Sequence, residues 1–234
     1  MKYWRKNSPV DTFFYDGFSI LFPAWELVFV EVARHHRSNI TDADLIAKIN
    51  AFITQETAHS KAHSAHNKRA YTSGLEHEEF LRTAKVIKRP QTKILLGAMV
   101  SIEHLAAVIS RRILSTFDAN AGREHKLFRW HAVEELSHKD LAMELWLSNQ
   151  YTVKDLRPIA FKNFKYVTKT IFSYVIDKLR REKLLWNPAT LYSLCRLGVE
   201  FFLFVVLPYI SIFTPKFHPN NTNDSMYLGV TNET

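Results

Sequence analysis

The chain has 234 residues, 47% of them hydrophobic and 23% charged, which is enough apolar length for a sizeable core and excludes a disordered chain. Only 6 Gly and 8 Pro leave too few turn residues for a β-sandwich or a doubly wound sheet. The single Cys195 excludes a disulfide framework, a four-cysteine zinc site and an iron–sulfur cluster held by this chain alone. The net charge of +8 is concentrated, since residues 154–196 hold ten Lys and Arg against three Asp and Glu; this is a local basic face, and no motif for nucleic acid accompanies it.

The basic start, MKYWRKNSPV, leads into no apolar stretch with a cleavage site, so a secretory signal is not expected and the cytoplasm is the expected compartment. A first helix is predicted over about 18–37, apolar almost all round as a buried bundle helix should be, with Pro23 suited to a first turn or a kink. The second runs from the cap Thr41-Asp42-Ala43-Asp44 to about Ala70. After a Ser73-Gly74 linker and a short helical piece over 77–88 come a third helix over about 92–117 and a fourth over about 121–149. Two more follow, from Val153 to about Leu185 and from Pro188 to about Phe213, ahead of a loose polar tail. The expected fold is a single all-α domain: a four-helix bundle at 18–149, a helical pair at 150–213 and a tail at 214–234.

Two Glu-x-x-His units stand out, Glu56 with His59 and Glu135 with His138. Three residues apart on a helix, carboxylate and imidazole share one face and can bind one metal ion. A bundle di-metal site needs one further carboxylate from each remaining helix. Glu26 lies 30 residues before Glu56, and Glu103 lies 32 before Glu135; in each case that is one helix up, a turn, and one helix back. A buried Glu26 needs metal or a cation, and Arg34 or Arg111 are the alternative partners. His63 and His131 fall on the same stripes, as extra ligands, orienting groups, proton shuttles or hydrogen-bonded core histidines. Glu134 sits 100° around the helix from Glu135, as an outer group or a partner for His138. His35, His36, His66 and His104 read as packing or surface, and Cys195 as structural.

The set Glu26, Glu56, His59, Glu103, Glu135 and His138 resembles that of the ferritin-like di-metal carboxylate proteins. The segments Phe22-Pro23-Ala24-Trp25-Glu26, Phe52-Ile53-x-Gln55-Glu56-x-x-His59-x-x-x-His63 and Trp130-His131-x-x-Glu134-Glu135-x-x-His138-Lys139 narrow the likeness. With Pro215-x-Phe217-His218-Pro219 they are similar to the bacterial family described as predicted metal-dependent hydrolases. Ala24-Trp25 departs from the Glu-Gly that resemblance leads one to expect before Glu26. The resemblance implies a ferritin-like bundle and, by its name, hydrolysis.

Hard carboxylates with imidazoles suit two divalent ions, iron first, with manganese or zinc as alternatives. The chemistry expected is a dioxygen-activating di-iron oxidoreductase acting on a small hydrophobic organic substrate. The alternatives are a metal-dependent hydrolase and a metal-free helical binding module. Gly97, Ala98, Ser101, Ala106, Ala107 and Ser110 around Glu103 allow close helix packing or a tunnel beside the metals. For 197–213 the first expectation is a helix capping the core. The basic, aromatic segment before it gives the alternative of peripheral attachment through 154–213 at the inner face of a membrane.

Overall fold

The computed structural model describes residues 3–70, 78–79, 81–82, 85, 88–89 and 92–228, and those residues are all-α. The helix expected over 77–88 lies largely outside them. The helices are α1 (Pro9–Arg37), α2 (Ala43–Ala70), α3 (Lys93–Thr116), α4 (Arg123–Ser148), α5 (Val153–Arg181) and α6 (Pro188–Phe213), with a final short α7 (Ser225–Leu228). The heaviest packing joins α1 to α2 and α3 to α4; α5 lies against both α1 and α3, and α2 faces α4.

α1 starts nine residues before the expected Phe18, because Ser8 Oγ accepts the Asp11 N–H and Pro9 takes the first helical position. Gly17 does not break the helix. It lets α5 approach, since a Cβ there would come 3.2 Å from Ile171. At Gly97 an added Cβ would meet Ile159 at 2.7 Å and Trp146 at 3.0 Å, so close packing is the use of that small residue.

Pro23 lies inside α1, not in the first turn that its local rule suggests. A proline there has no N–H for the carbonyl four residues back. That carbonyl belongs to Ser19, and it accepts instead from Asn67 Nδ2 of α2 at 2.8 Å. The Pro23 carbonyl in turn accepts from Ser60 Oγ at 2.9 Å, so α2 repairs the interruption from the side.

The tail is less loose than expected. Asp224 receives both Arg111 of α3 (2.6 Å from Nε) and the buried Lys139 of α4, and Phe217 packs edge-on against His104. His218 begins a 3-10 turn over Pro219–Asn221. α6 caps the bundle with one side only. Arg196 pairs with Asp11 and Glu200, and Glu200 with Arg112, while the opposite side carries exposed Tyr192, Val199, Phe202, Leu203, Leu207 and Ile210.

The repair at Pro23 gives a test. Asn67→Ala leaves the Ser19 carbonyl buried without a donor and should cost about 1–3 kcal/mol by denaturant unfolding. In a Pro23→Ala background the new backbone N–H at position 23 restores the helix ladder, so the same Asn67 change should cost clearly less. Equal costs in both backgrounds would show that the carbonyl is not what Asn67 serves.

Candidate metal centre

Four helices deliver acid and imidazole to one buried place. α1 brings Glu26, α2 Glu56 and His59, α3 Glu103, and α4 His131, Glu135 and His138, each no more than 4% exposed. Glu56, His59, Glu135 and His138 offer ligand atoms that all lie within 4.8 Å of one another, and Glu26, His59 and His131 form a second such set. Glu103 is in neither set, but it lies against Glu135 with its Oε2 buried and unpartnered. His63 joins through His131. Arg34 pairs with Glu31 and Arg111 with Asp224, so the arginines considered for Glu26 are engaged elsewhere.

The three inward histidines share one construction. His59 sets Nε2 2.7 Å from Glu134 Oε2 and turns Nδ1 to Glu56 and Glu135, 3.6 and 3.5 Å away. His138 sets Nε2 3.1 Å from Gln55 Oε1 and turns Nδ1 to Glu56 Oε1 at 2.7 Å and Glu135 Oε1 at 3.3 Å. His131 is reversed: its Nδ1 meets His63 Nε2 at 2.7 Å, and its Nε2 faces Glu135 Oε1 at 2.9 Å and Glu26 Oε1 at 3.8 Å. In each ring one nitrogen is held from outside and the other points into the carboxylates. This is how proteins orient metal-binding imidazoles.

For His131 the proton positions follow from the hydrogen bonds. The Ser19 carbonyl can only accept, so Asn67 must turn its amide nitrogen there and its Oδ1 to Ser19 Oγ, 2.7 Å away. Ser19 Oγ thus donates to Asn67 and accepts from His63 Nδ1 at 2.8 Å. Burial and the neighbouring His131 hold His63 well below its ordinary value, so it is neutral and its Nε2 is bare. That nitrogen accepts the His131 Nδ1–H. Burial likewise lowers His131, and its Nε2 stands 2.9 Å from Glu135 Oε1, an approach that requires a proton or a cation between the two.

The electrostatics are those of acids crowded in a dry interior. Burial, then Glu56 and Glu135, push Glu26 well above the carboxylate range; burial, then Glu135 and Glu56, do the same to Glu103. Burial would also raise Glu135, but His131 and His138 override it and hold it well below that range. Against burial, Glu134 and Glu56 lift His59 to about 9, and Glu56 and Glu135 lift His138 well above its ordinary value. Among the described residues, both oxygens of Glu26 and of Glu56, His59 Nδ1, His138 Nδ1 and Glu103 Oε2 are buried and make no well-aligned hydrogen bond, although His138 Nδ1 lies 2.7 Å from Glu56 Oε1. Converging, deprotonable and unsatisfied donors of this kind fit a divalent cation, with hard oxygen ligands in the majority.

Sequence reasoning left Glu134 in an outer role without finding its partner, His59, and gave Gln55 and Ser19 no part. The signal for Gln55 and Glu134 was adjacency: each directly precedes the glutamate of a Glu-x-x-His unit. Ser19 had none. Aromatic edges close the site, Phe52 against His138, Phe22 against His63 and His131, and the part-exposed Trp130 against His59. A cavity of about 20 Å³ beside Phe22, Ala106, Ser110, His131 and Glu135 has room for one water.

Without metal, the folded chain holds protons on Glu26, Glu103, His59 and His138 more tightly than the unfolded chain does. Stability from these groups is present at low pH and is lost as pH rises. His63 and His131, lowered in the fold, add stability as pH rises through the ordinary histidine value, so the net fall of the melting temperature in chelator should run from about pH 7.5 to about pH 9. Added divalent metal displaces those protons, so the increment it gives should grow over the same range. A melting temperature in chelator that rises over that range would contradict the proton assignment.

No curated protein and no solved structure matches the chain. The family model described as predicted metal-dependent hydrolase matches residues 1–223, and the chain belongs to that family.

Proposed function

We propose that the protein is a metal-dependent hydrolase working at this buried Glu/His centre. The observation that carries the reading is the convergence of unsatisfied carboxylate and imidazole atoms from four helices in a chain of this family. Glu56, His59, Glu135 and His138 would hold one ion, and Glu26 and His131 Nε2 would extend the site towards a second, with Glu103 beside Glu135. Such ions would supply Lewis-acid polarisation and a water acid enough to ionise near neutrality.

The chain's own residues supply the rest. Glu134 and Gln55 fix His59 and His138 from outside, so the inward nitrogens keep their direction. The His63–Ser19 pair holds His131 from outside in the same way, with Nε2 turned to Glu135 and Glu26. Phe22, Ala106 and Ile109 line both the one-water cavity beside His131 and a smaller one running to Trp25 and Val167, so a substrate reaching this side of the centre would meet apolar walls. The family description favours hydrolysis over the dioxygen-activating oxidoreductase. That second reading keeps the support of one observation, the four glutamates around the site, which suit iron as well as zinc or manganese.

Protein purified without chelator should carry divalent metal, lose it on Glu135→Ala, and cleave an ester or phosphoester when loaded with zinc or manganese. Glu56→Ala should lower that rate at least about 100-fold. If no ester is cleaved, and the reduced anaerobic iron form changes its visible absorption on exposure to dioxygen, the oxidoreductase replaces the hydrolase. No bound metal, with a melting temperature indifferent to added ions, returns the protein to the metal-free binding module. Glu134→Gln separates orientation from ligation: the side chain is a quarter exposed, so the fold should survive, while metal affinity falls about 10–100-fold.

A further inference from the structure

Among the described residues, three helices are long and apolar enough to cross a membrane, and they differ in what covers them. In their most apolar stretches α1 is 89% buried inside the protein and α3 67%, whereas α6 is 22% buried. α6 is helical over all 26 residues, with one π-helical turn at Phe202–Val206 that lets the chain pass Pro208 without ending. Its two charged residues, Arg196 and Glu200, face the protein, each paired with the other and with Asp11 or Arg112. The outward side carries no charge from Trp186 to Phe213. Tyr192, Val199, Leu203, Leu207 and Ile210 follow one another at helical spacing along it, between 46% and 72% exposed. An uncharged stripe of this length exceeds the scattered apolar residues of an ordinary surface.

The flanks of the stripe are basic and aromatic. α5 runs alongside α6, with Phe164 stacked on Phe201 and Tyr209. Its exposed side carries Phe161, Lys162, Lys165 and Lys169. At the turn joining the two helices Arg180, Arg181 and Lys183 are exposed beside Trp186, itself 82% exposed. We propose that α6 lies in the plane of an anionic lipid bilayer, its outward stripe sunk among the acyl chains and the α5 and turn cations on the headgroups. A helix whose inner side is ion-paired to its own protein cannot be wrapped by lipid, so it lies on the membrane and does not span it. A second copy of the chain is the weaker occupant, because pairing two of these faces brings together two segments with ten basic and three acidic residues each. The placement does not depend on the reaction at the metal centre.

The test uses the full chain and vesicles of phosphatidylcholine, with and without phosphatidylglycerol. The protein should float with the anionic vesicles at low salt and be partly released at high salt. Val199→Asp with Leu203→Glu, both on the exposed stripe, should weaken binding at least about tenfold without changing the melting temperature. Lys162→Glu with Lys165→Glu and Lys169→Glu should clearly reduce the salt-sensitive part, leaving that of the turn cations, and it serves equally if the first variant fails to fold. Three results overturn the proposal: no flotation with either vesicle; flotation that both variants leave unchanged; or a soluble dimer, split by the stripe variant, that ignores vesicles.

Discussion

Four glutamates cannot share one dry interior as four anions, and much of the structure follows from that constraint. In the metal-free protein the conflict is spread over protons. Glu26 and Glu103 are pushed to keep theirs, Glu135 is held charged by His131 and His138, and His59 and His138 carry the compensating positive charge. The helices pack closely around these groups, so no rearrangement of side chains separates them. Only cations, protons or metal, can make the arrangement stable.

The direction of each imidazole is set outside the cluster. Glu134 and Gln55 do this for two rings, each from the helix opposite, at positions open to solvent on one side. For His131 the cause is further away and starts in the backbone: Pro23 frees a carbonyl, the carbonyl orients Asn67, and Ser19 and His63 pass that orientation on. A proline that looks like damage to α1 thus helps determine which nitrogen of a histidine on α4 faces the carboxylates. Burial supports the chain of bonds, because a ring or amide turned the wrong way would leave two like groups facing each other without water.

The helices and the residues that meet in the buried Glu/His cluster were legible in the sequence for one reason: both depend on period. Glu26 to Glu56 and Glu103 to Glu135 are distances along a hairpin, and Glu-x-x-His is a distance along a helix, so counting suffices. What depends on contact between helices was not legible. Glu134 was placed 100° off the stripe correctly, yet only packing shows that α2 brings His59 to it. Pro23 was read by its local rule, and a side chain of α2 overrode it. Gly17 and the cap at Ser8 hid the first two turns of α1 behind what local sequence marks as a boundary. The expected core-capping helix at 197–213 is half right, since hydrophobicity alone does not say which side of a helix finds a partner, and only the inner side of α6 does.

The contact between Lys139 and Asp224 ties the helices of the cluster to the segment that follows α6. Lys139 directly follows His138 on α4 and is 4% exposed, and its counter-charge comes from a residue 85 positions later. Without Asp224, α4 would bury an ammonium with no charge opposite it, a state that burial strongly disfavours. The segment after α6 therefore acts as a latch on the helix that carries Glu135 and His138. Close packing around the cluster depends on a residue that belongs to none of the four helices that form it.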